Sequence, residues 1–465
     1  MKFHFVTVVW GEEYTAHFLN RCLPNQLTPG NLHAFKDTGG ALYKIYTTRK
    51  DAGSIENSEN YKRVKYILPV SLNIMDEDSL ENIAGDEKYR KTIDLMNSLH
   101  GRAIKEANAD DAAIFILTPD ALWSEGAFSK ARDIVKGGKR VVLLPQLRVA
   151  QETFLPEYER LFGAGNGGCP APARELTKLA LAHMHPYTKT FYVDSPNFST
   201  EFTWYLFWRA GESGLVARCL YFHPFLIYPK VKDAVPMVAV DHDYPAMAVP
   251  EYKDYYFVKD SDEIAGYEFS PAGKLAEFIS PGQFNERDFT WNALARYSRP
   301  LNRKMLLNPI VAHGGEVTRE FMEAREESGR IARRLVAMFE LAQRYKNWQE
   351  KPRPRNMDHV KRVVIFGSGS GGRKMIPVAA RLGWSVAYIV DNDSARWGGV
   401  VDGCGIKGPD ALGSADYDLI MVSSGPGREG IFAQLYGLGY KYGRDYIYYQ
   451  DTVIVGGELI SLFDY

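Results

Sequence analysis

The run Val363-Val364-Ile365-Phe366-Gly367-Ser368-Gly369-Ser370-Gly371-Gly372 constrains the fold more than any other stretch of the chain. An apolar, β-branched segment ends in glycines, and Arg373 to Leu382 reads as a helix. Gly367, Gly369 and Gly372 fit the spacing G-x-G-x-x-G. The first glycine permits a tight turn, the second lets backbone approach a phosphate, and the third lets the helix pack on the strand. A second apolar strand, Ile389-Val390-Asp391, ends about 20 residues later in an acid suited to a ribose hydroxyl pair. Strand, turn, helix, strand and acid follow in the order that a dinucleotide-binding fingerprint requires, which strengthens a motif that is weak alone. The unit opens only the last quarter of the chain, so the rest needs its own account.

At 465 residues the chain exceeds one ordinary core, and two or three domains are expected. Lys+Arg 56 nearly balances Asp+Glu 57, which gives no electrostatic reason to propose nucleic acid as a partner. Cys22, Cys169, Cys219 and Cys404 are scattered without a C-x-x-C pair, arguing for a reducing compartment and against a zinc site. The start, Met1 to Trp10, alternates like a strand and lacks a cleavage site, so a cytoplasmic location is expected. Charged residues interrupt the aromatic patch Phe202 to Trp208 and Tyr221 to Tyr228, so it is too short to span a bilayer. It reads as core or ligand cleft, with peripheral membrane contact as the other use.

Along the chain, strands are expected at residues 3–10, Leu42 to Thr48, Val64 to Leu68, Ala112 to Leu117 and Arg140 to Leu144. Helices are expected at Glu12 to Cys22, Asp86 to Asn108 and Trp123 to Val135. This alternation specifies an α/β domain with a largely parallel sheet. Further expectations are a helix at Ala173 to His183, short strands at Val235 to Val240 and Tyr255 to Lys259, and a long helix over Glu316 to Tyr345. Lys351-Pro352-Arg353-Pro354-Arg355 reads as a linker. The expected domains are 1–315, a helical connector at 316–357, and 358–465.

The N-terminal pattern resembles a GT-A-type glycosyltransferase, a fold with a nucleotide-diphospho-sugar-binding sheet. The resemblance rests on three features. A first strand runs into Val9-Trp10-Gly11 and a helix, a second ends at Tyr46-Thr47-Thr48, and a buried strand delivers an acid at Asp120. It implies a mixed-sheet domain in which Trp10, Gly11, Tyr14, Thr47, Arg148 and His223 contact a nucleotide-sugar donor. It also implies a divalent cation, Mn or Mg, held on the diphosphate by an Asp-x-Asp element after the fourth strand. Here that element reads Thr118-Pro119-Asp120, with one carboxylate missing. Either Asp120 is a metal ligand acting with other acids, or the site is metal-independent and uses basic residues such as Arg148. The bland alternative makes Asp120 an N-cap for the helix after it. Asp241 and Asp243, like Asp260, Asp262 and Glu263, follow apolar strands and qualify as acceptor-side bases. His185 and His223, each followed by proline, fit a metal or phosphate site or a structural role.

The C-terminal series, from Gly367-Ser368-Gly369 through Val390-Asp391-Asn392-Asp393 to Gly408-Pro409-Asp410, resembles the Rossmann-like module of bacterial polysaccharide-modifying enzymes. That resemblance implies a second nucleotide or dinucleotide held by Gly367, Gly369, Gly372 and Asp391. No hexapeptide repeat or Tyr-x-x-x-Lys pair accompanies it, so no acyltransferase or dehydratase activity is implied. Three readings follow. The first is a glycosyltransferase building a bacterial surface glycan or polysaccharide, with Asp120, Asp241 and Asp243 as catalytic candidates. The second is an NAD(P)-dependent oxidoreductase using the terminal domain, and the third is a non-catalytic nucleotide-sugar-binding protein. Oligomeric state is left open.

Overall fold

The computed structural model describes all residues except 37, 76–84, 146, 164–169, 200–202, 212–213, 237–238, 242, 297–299, 349–354, 415 and 463–465. The chain divides into two compact units, Met1–Phe339 and Glu340–Tyr465. It is an α/β protein, with sheets flanked by helices in both units.

The first unit contains β1 (Lys2–Val8), β2 (Ala41–Thr48), β3 (Val70–Met75), β4 (Ala112–Leu117), β5 (Ala121–Trp123), β6 (Val141–Leu144) and β7 (Leu147–Ala150). These are followed by β8 (Tyr205–Arg209), β9 (Gly214–Cys219), β10 (His223–Ile227), β11 (Tyr255–Phe257), β12 (Gly266–Ser270) and β13 (Ile310–His313). The main sheet runs β11-β6-β10-β4-β1-β2-β3. Six strands are parallel, and β10 alone runs against its neighbours β4 and β6. Strand order reverses beside β1: the chain first builds outward through β2 and β3, then returns to lay β4 on β1's other edge. Ligands of open α/β sheets bind beyond the carboxyl ends of the strands at such a reversal.

β4 is buried at every position, as its unbroken apolar sequence requires of a central strand. Phe115 stacks on Phe5 with centroids 4.7 Å apart and on Phe128, and meets Phe35 and Phe225 edge-on. The other face receives the helix Gly85–Ala109. There the buried Lys44 ammonium lies 2.7 Å from Glu106, which also accepts the Tyr46 hydroxyl at 3.1 Å. A cation under a sheet is tolerated only with such partners.

Three expected elements differ. Val64 to Leu68 belongs to a helix, Glu59–Ile67, and the third strand follows it. Tyr61, Val64 and Ile67 are buried three residues apart while Lys62, Lys65 and Tyr66 face solvent, a helical spacing hidden inside a short apolar run. Trp123 ends a strand rather than beginning a helix; the helix Ala127–Lys136 starts after Gly126, whose φ of 79° turns the chain. No strand forms over the described part of Val235 to Val240, and most of the 351–355 linker lies outside the described residues. The aromatic patch becomes β8 and β10, with Tyr205, Leu206, Phe207, Trp208 and Phe225 buried as core.

The second unit has β14 (Arg355–Asn356), β15 (Arg362–Phe366), β16 (Ser385–Val390), β17 (Val400–Val401), β18 (Cys404–Lys407), β19 (Leu419–Val422) and β20 (Tyr446–Tyr448). A six-stranded sheet, β17-β18-β16-β15-β19-β20, again reverses beside its first long strand. A smaller sheet pairs β14 with β21 (Thr452–Val455) and β22 (Glu458–Ser461). No described helix in either unit is long and apolar enough to cross a membrane.

Replacing Phe115 with alanine empties the centre of the aromatic cluster and is expected to cost ~3–5 kcal/mol of stability. Urea unfolding of the first unit measures it, and a loss below about 1 kcal/mol would place the core elsewhere.

Candidate functional site

The candidate site lies at the carboxyl ends of β1 and β4. After β1, Gly11 takes a φ of 82° and its N–H donates to Asp51 Oδ2 at 2.9 Å. Asp51 also accepts the Thr48 hydroxyl at 2.6 Å, so the turns after β1 and β2 are tied together. Trp10 is half-buried at this turn, and Thr47 is wholly buried in β2, presenting no surface to a ligand.

After β4 the chain passes through Asp120 into β5, and β5 pairs with β12, which pairs in turn with β7. The register sets Glu268 of β12 opposite Ala121 on one side and Arg148 on the other. This small sheet therefore gathers Asp120, Arg148 and Glu268 from positions far apart in sequence. Arg148 Nη2 lies 2.7 Å from Glu268 Oε2. Asp120 is only 8% exposed. Burial pushes its carboxyl up to about 6, the neighbouring Glu268 carboxylate adds to this, and Arg148 and Lys274 oppose it. The Asp120 backbone accepts the Phe269 N–H at 2.9 Å, and the following helix begins only at Ala127, so Asp120 caps no helix. Lys274 reaches the rim, where its ammonium donates to the Tyr14 hydroxyl at 2.6 Å.

A second group adjoins the first. His223, at the start of the antiparallel β10, points Nε2 at the Ile116 carbonyl, 3.3 Å away. A carbonyl only accepts, so Nε2 carries the proton and Nδ1 keeps its lone pair, enclosed without a hydrogen-bond partner. His100 Nδ1 is likewise enclosed and unpartnered. Burial lowers both imidazoles, His100 to about 4, so both are neutral near pH 7. Asp241 lies close enough to act on both rings and accepts a short hydrogen bond from the Tyr221 hydroxyl. Asp120 acts electrostatically on His223, and Glu268 on Tyr221, which makes the two groups neighbours.

Of the residues singled out in the sequence, Asp120, Arg148, His223, Asp241 and Tyr14 come together here. Asp243 does something local: buried, it accepts the Ala239 N–H at 3.1 Å beside the helix Tyr244–Ala248. His185 is structural, donating Nε2–H to Pro271 O at 2.9 Å while Nδ1 accepts the Tyr187 N–H. Sequence reading missed Glu268, Lys274, Tyr221 and His100. Glu268 did leave a signal, as the lone charge inside Gly266-Tyr267-Glu268-Phe269.

In the second unit, Gly367 adopts a φ of 113°, and a Cβ on Gly372 would stand 2.1 Å from Gly367 O, so the helix Ser370–Arg381 rests directly on the turn. At Gly369 the space is open, with Arg396 Nη1 nearest at 4.0 Å. Asp391 Oδ2 accepts both the N–H and the hydroxyl of Ser368, at 2.7 and 2.6 Å, and Oδ1 accepts the Asp393 N–H at 2.9 Å. Burial works against its ionisation, but these bonds prevail and hold the carboxyl below the usual range. Asp391 thus closes the glycine turn and keeps one Oδ1 lone pair uncommitted to these bonds.

No protein-family model and no curated protein matches the chain. Solved structures with partial likeness include RSP, a Rex-family repressor, in complex with β-NADH (14% identity, 27% of this chain and 72% of that one, TM-score 0.17). Mouse xyloside xylosyltransferase 1 in its apo form is another (10% identity, 36% and 61%, TM-score 0.21). A third is a Bacillus anthracis protein described as a glucose-1-phosphate thymidylyltransferase, in complex with sucrose (10% identity, 33% and 57%, TM-score 0.18).

The raised Asp120 carboxyl has a stability consequence. Its folded value lies above its unfolded one, so its contribution is full below about pH 4 and is lost as pH rises through about 6. Asp120→Asn removes the charge at similar volume and is expected to stabilise the protein at pH 8 by up to ~3 kcal/mol relative to wild type. At pH 4 it should have little effect. Urea unfolding at the two pH values checks this, and a pH-independent difference would contradict it.

Proposed function

We propose that the first unit is a glycosyltransferase that moves a sugar from a nucleotide-diphosphate donor to a glycan acceptor. The observation that carries this reading is the placement of Asp120, Arg148, Glu268 and Lys274 beyond β4, at the reversal point of a mostly parallel sheet. Such a position suits a nucleotide, and the mixture of cations and a poised carboxyl suits departure of a diphosphate.

In a direct displacement, the acceptor hydroxyl oxygen bonds to the anomeric carbon as the bond from that carbon to the diphosphate oxygen breaks. The hydroxyl proton passes to the Asp120 carboxylate, and the charge left on the diphosphate falls to Arg148 and Lys274. A base is most effective with a value near working pH, which burial supplies here. Neutral His223, with its Nδ1 lone pair, and Asp241 with Tyr221 line the acceptor side.

The donor set at Asp120 does not fit a resident Mn or Mg. Glu268, the carboxylate acting most strongly on Asp120, is bonded to Arg148. The group of three metal-type donors found among the described residues, Asp260, Asp262 and His313, does not include Asp120. This favours neutralisation of the diphosphate by basic side chains. The second unit, with its glycine turn and open Gly369, serves as an accessory nucleotide pocket.

The test is transfer or slow hydrolysis across a panel of UDP-, GDP-, CMP- and dTDP-sugars, with Mn²⁺ and with EDTA. One donor is expected to turn over in both conditions, with kcat rising through about pH 6. Asp120→Ala should lower kcat ~10²–10⁴-fold. Asp391→Ala should leave turnover unchanged and weaken nucleotide binding at the second unit alone. Full activity in Asp120→Ala, or tight NAD(H) binding with no nucleotide-sugar binding, would overturn the reading.

A further inference from the structure

Asp260, Asp262 and His313 lie outside the site described above, and their ligand-type atoms all fall within 4.8 Å of one another. The loop after β11 is stitched to β13. Val311 N–H donates to Lys259 O at 2.8 Å, Ser261 N–H to Val311 O at 2.9 Å, and His313 N–H to Ser261 Oγ at 3.1 Å. Asp262 N–H donates to Asp260 Oδ1 at 2.9 Å, which folds the two carboxylates onto one side of the loop. The His313 ring is almost wholly buried, edge-on to Phe321, and its Nδ1–H donates to Gly315 O.

That last bond decides the chemistry. Because Nδ1 is taken by the Gly315 carbonyl, it is Nε2 that faces Asp260 Oδ1, 3.0 Å away, and Asp262 Oδ2, 3.7 Å away. A buried ring nitrogen and two carboxylate oxygens facing one another need a proton or a cation between them. Ligand atoms at about 2.0–2.2 Å from a tetrahedral zinc stand roughly 3.3–3.6 Å apart, a spacing that the two observed separations bracket. The outer partners suit a metal as well. A carbonyl orients the histidine, and Arg174 holds both Asp262 oxygens, Nη2 on Oδ2 at 2.5 Å and Nε on Oδ1 at 3.3 Å, while its Nη1 takes Glu316 at 2.7 Å, so Asp262 Oδ2 would share its remaining lone pair with an ion. Within this bonded group three carboxylates face one guanidinium, which leaves two negative charges for a divalent ion. Asp260 and Asp262 are more than one-third exposed, so the ion has an entry path.

We infer that Asp260, Asp262 and His313 form a binding site for a divalent ion of the zinc class, with a coordination position left open. One nitrogen and two oxygens suit Zn²⁺, Co²⁺ or Mn²⁺ better than Ca²⁺, which takes six to eight oxygens. The inference is independent of the transferase reading.

The test is titration of the chelator-stripped full-length chain with Zn²⁺ against a chromophoric competitor, and with Co²⁺ for its visible spectrum. One equivalent per chain is expected, with a tetrahedral or five-coordinate cobalt spectrum. Asp260→Asn and His313→Gln should each weaken binding at least ~10-fold. Asp120→Asn should leave stoichiometry and affinity unchanged, which separates this site from the transferase site. Circular dichroism of the metal-free variants confirms that each is folded. Failure of the folded wild type to bind Zn²⁺ or Co²⁺, or equal affinity in folded Asp260→Asn, would show that a proton alone fills the gap and overturn the inference.

Discussion

The three-stranded pairing of β5, β12 and β7 is the constraint on which the first unit's chemistry depends. Buried charges persist only when each has a partner. Here the backbone register supplies the partners: Glu268 cannot sit opposite Ala121 and Arg148 without bringing Asp120 and the guanidinium into one enclosure. Burial raises the Asp120 carboxyl, the Glu268 carboxylate adds to the rise, and Arg148 and Lys274 offset only part of it. Imbalance of this kind costs stability, and it persists where a proton must be exchanged.

Around that enclosure the main sheet provides direction. Its six parallel strands end on one side, and the antiparallel β10 delivers His223 to the same side by its beginning rather than its end. Charged, neutral and hydroxyl groups thus meet over one sheet edge from seven places: Tyr14, His100, Asp120, Arg148, Tyr221 with His223, Asp241, and Glu268 with Lys274. The second unit repeats the reversal principle on its own sheet, with Asp391 spent mainly on holding the glycine turn in shape.

Much of this framework was legible before any coordinates. The unbroken apolar runs of β4, β6 and β15 can only be buried strands, and the glycine spacing from Gly367 to Gly372 dictated the turn that forms. Short mixed runs were less legible. Val64 to Leu68 satisfies a strand and a helix equally until its neighbours are known, and Trp123 needed the distant β12 to reveal itself as strand. The site was half legible for the same reason. Asp120 ends an obvious strand, whereas Glu268 and His100 acquire meaning only through contacts across more than a hundred residues. Asp243 shows the converse, since an acid after an apolar segment is as well suited to holding a nearby N–H as to catalysis.

In the proposed transferase the nucleotide donor sits over β1 and β4. Hydrogen exchange with and without UDP, GDP, CMP or dTDP measures this directly. The account predicts protection at Val9–Tyr14, Asp120–Trp123 and Gly266–Lys274 with the nucleotide that matches the donor. Protection confined to Gly367–Gly372 and its flanking strands would contradict it and move the chemistry to the second unit.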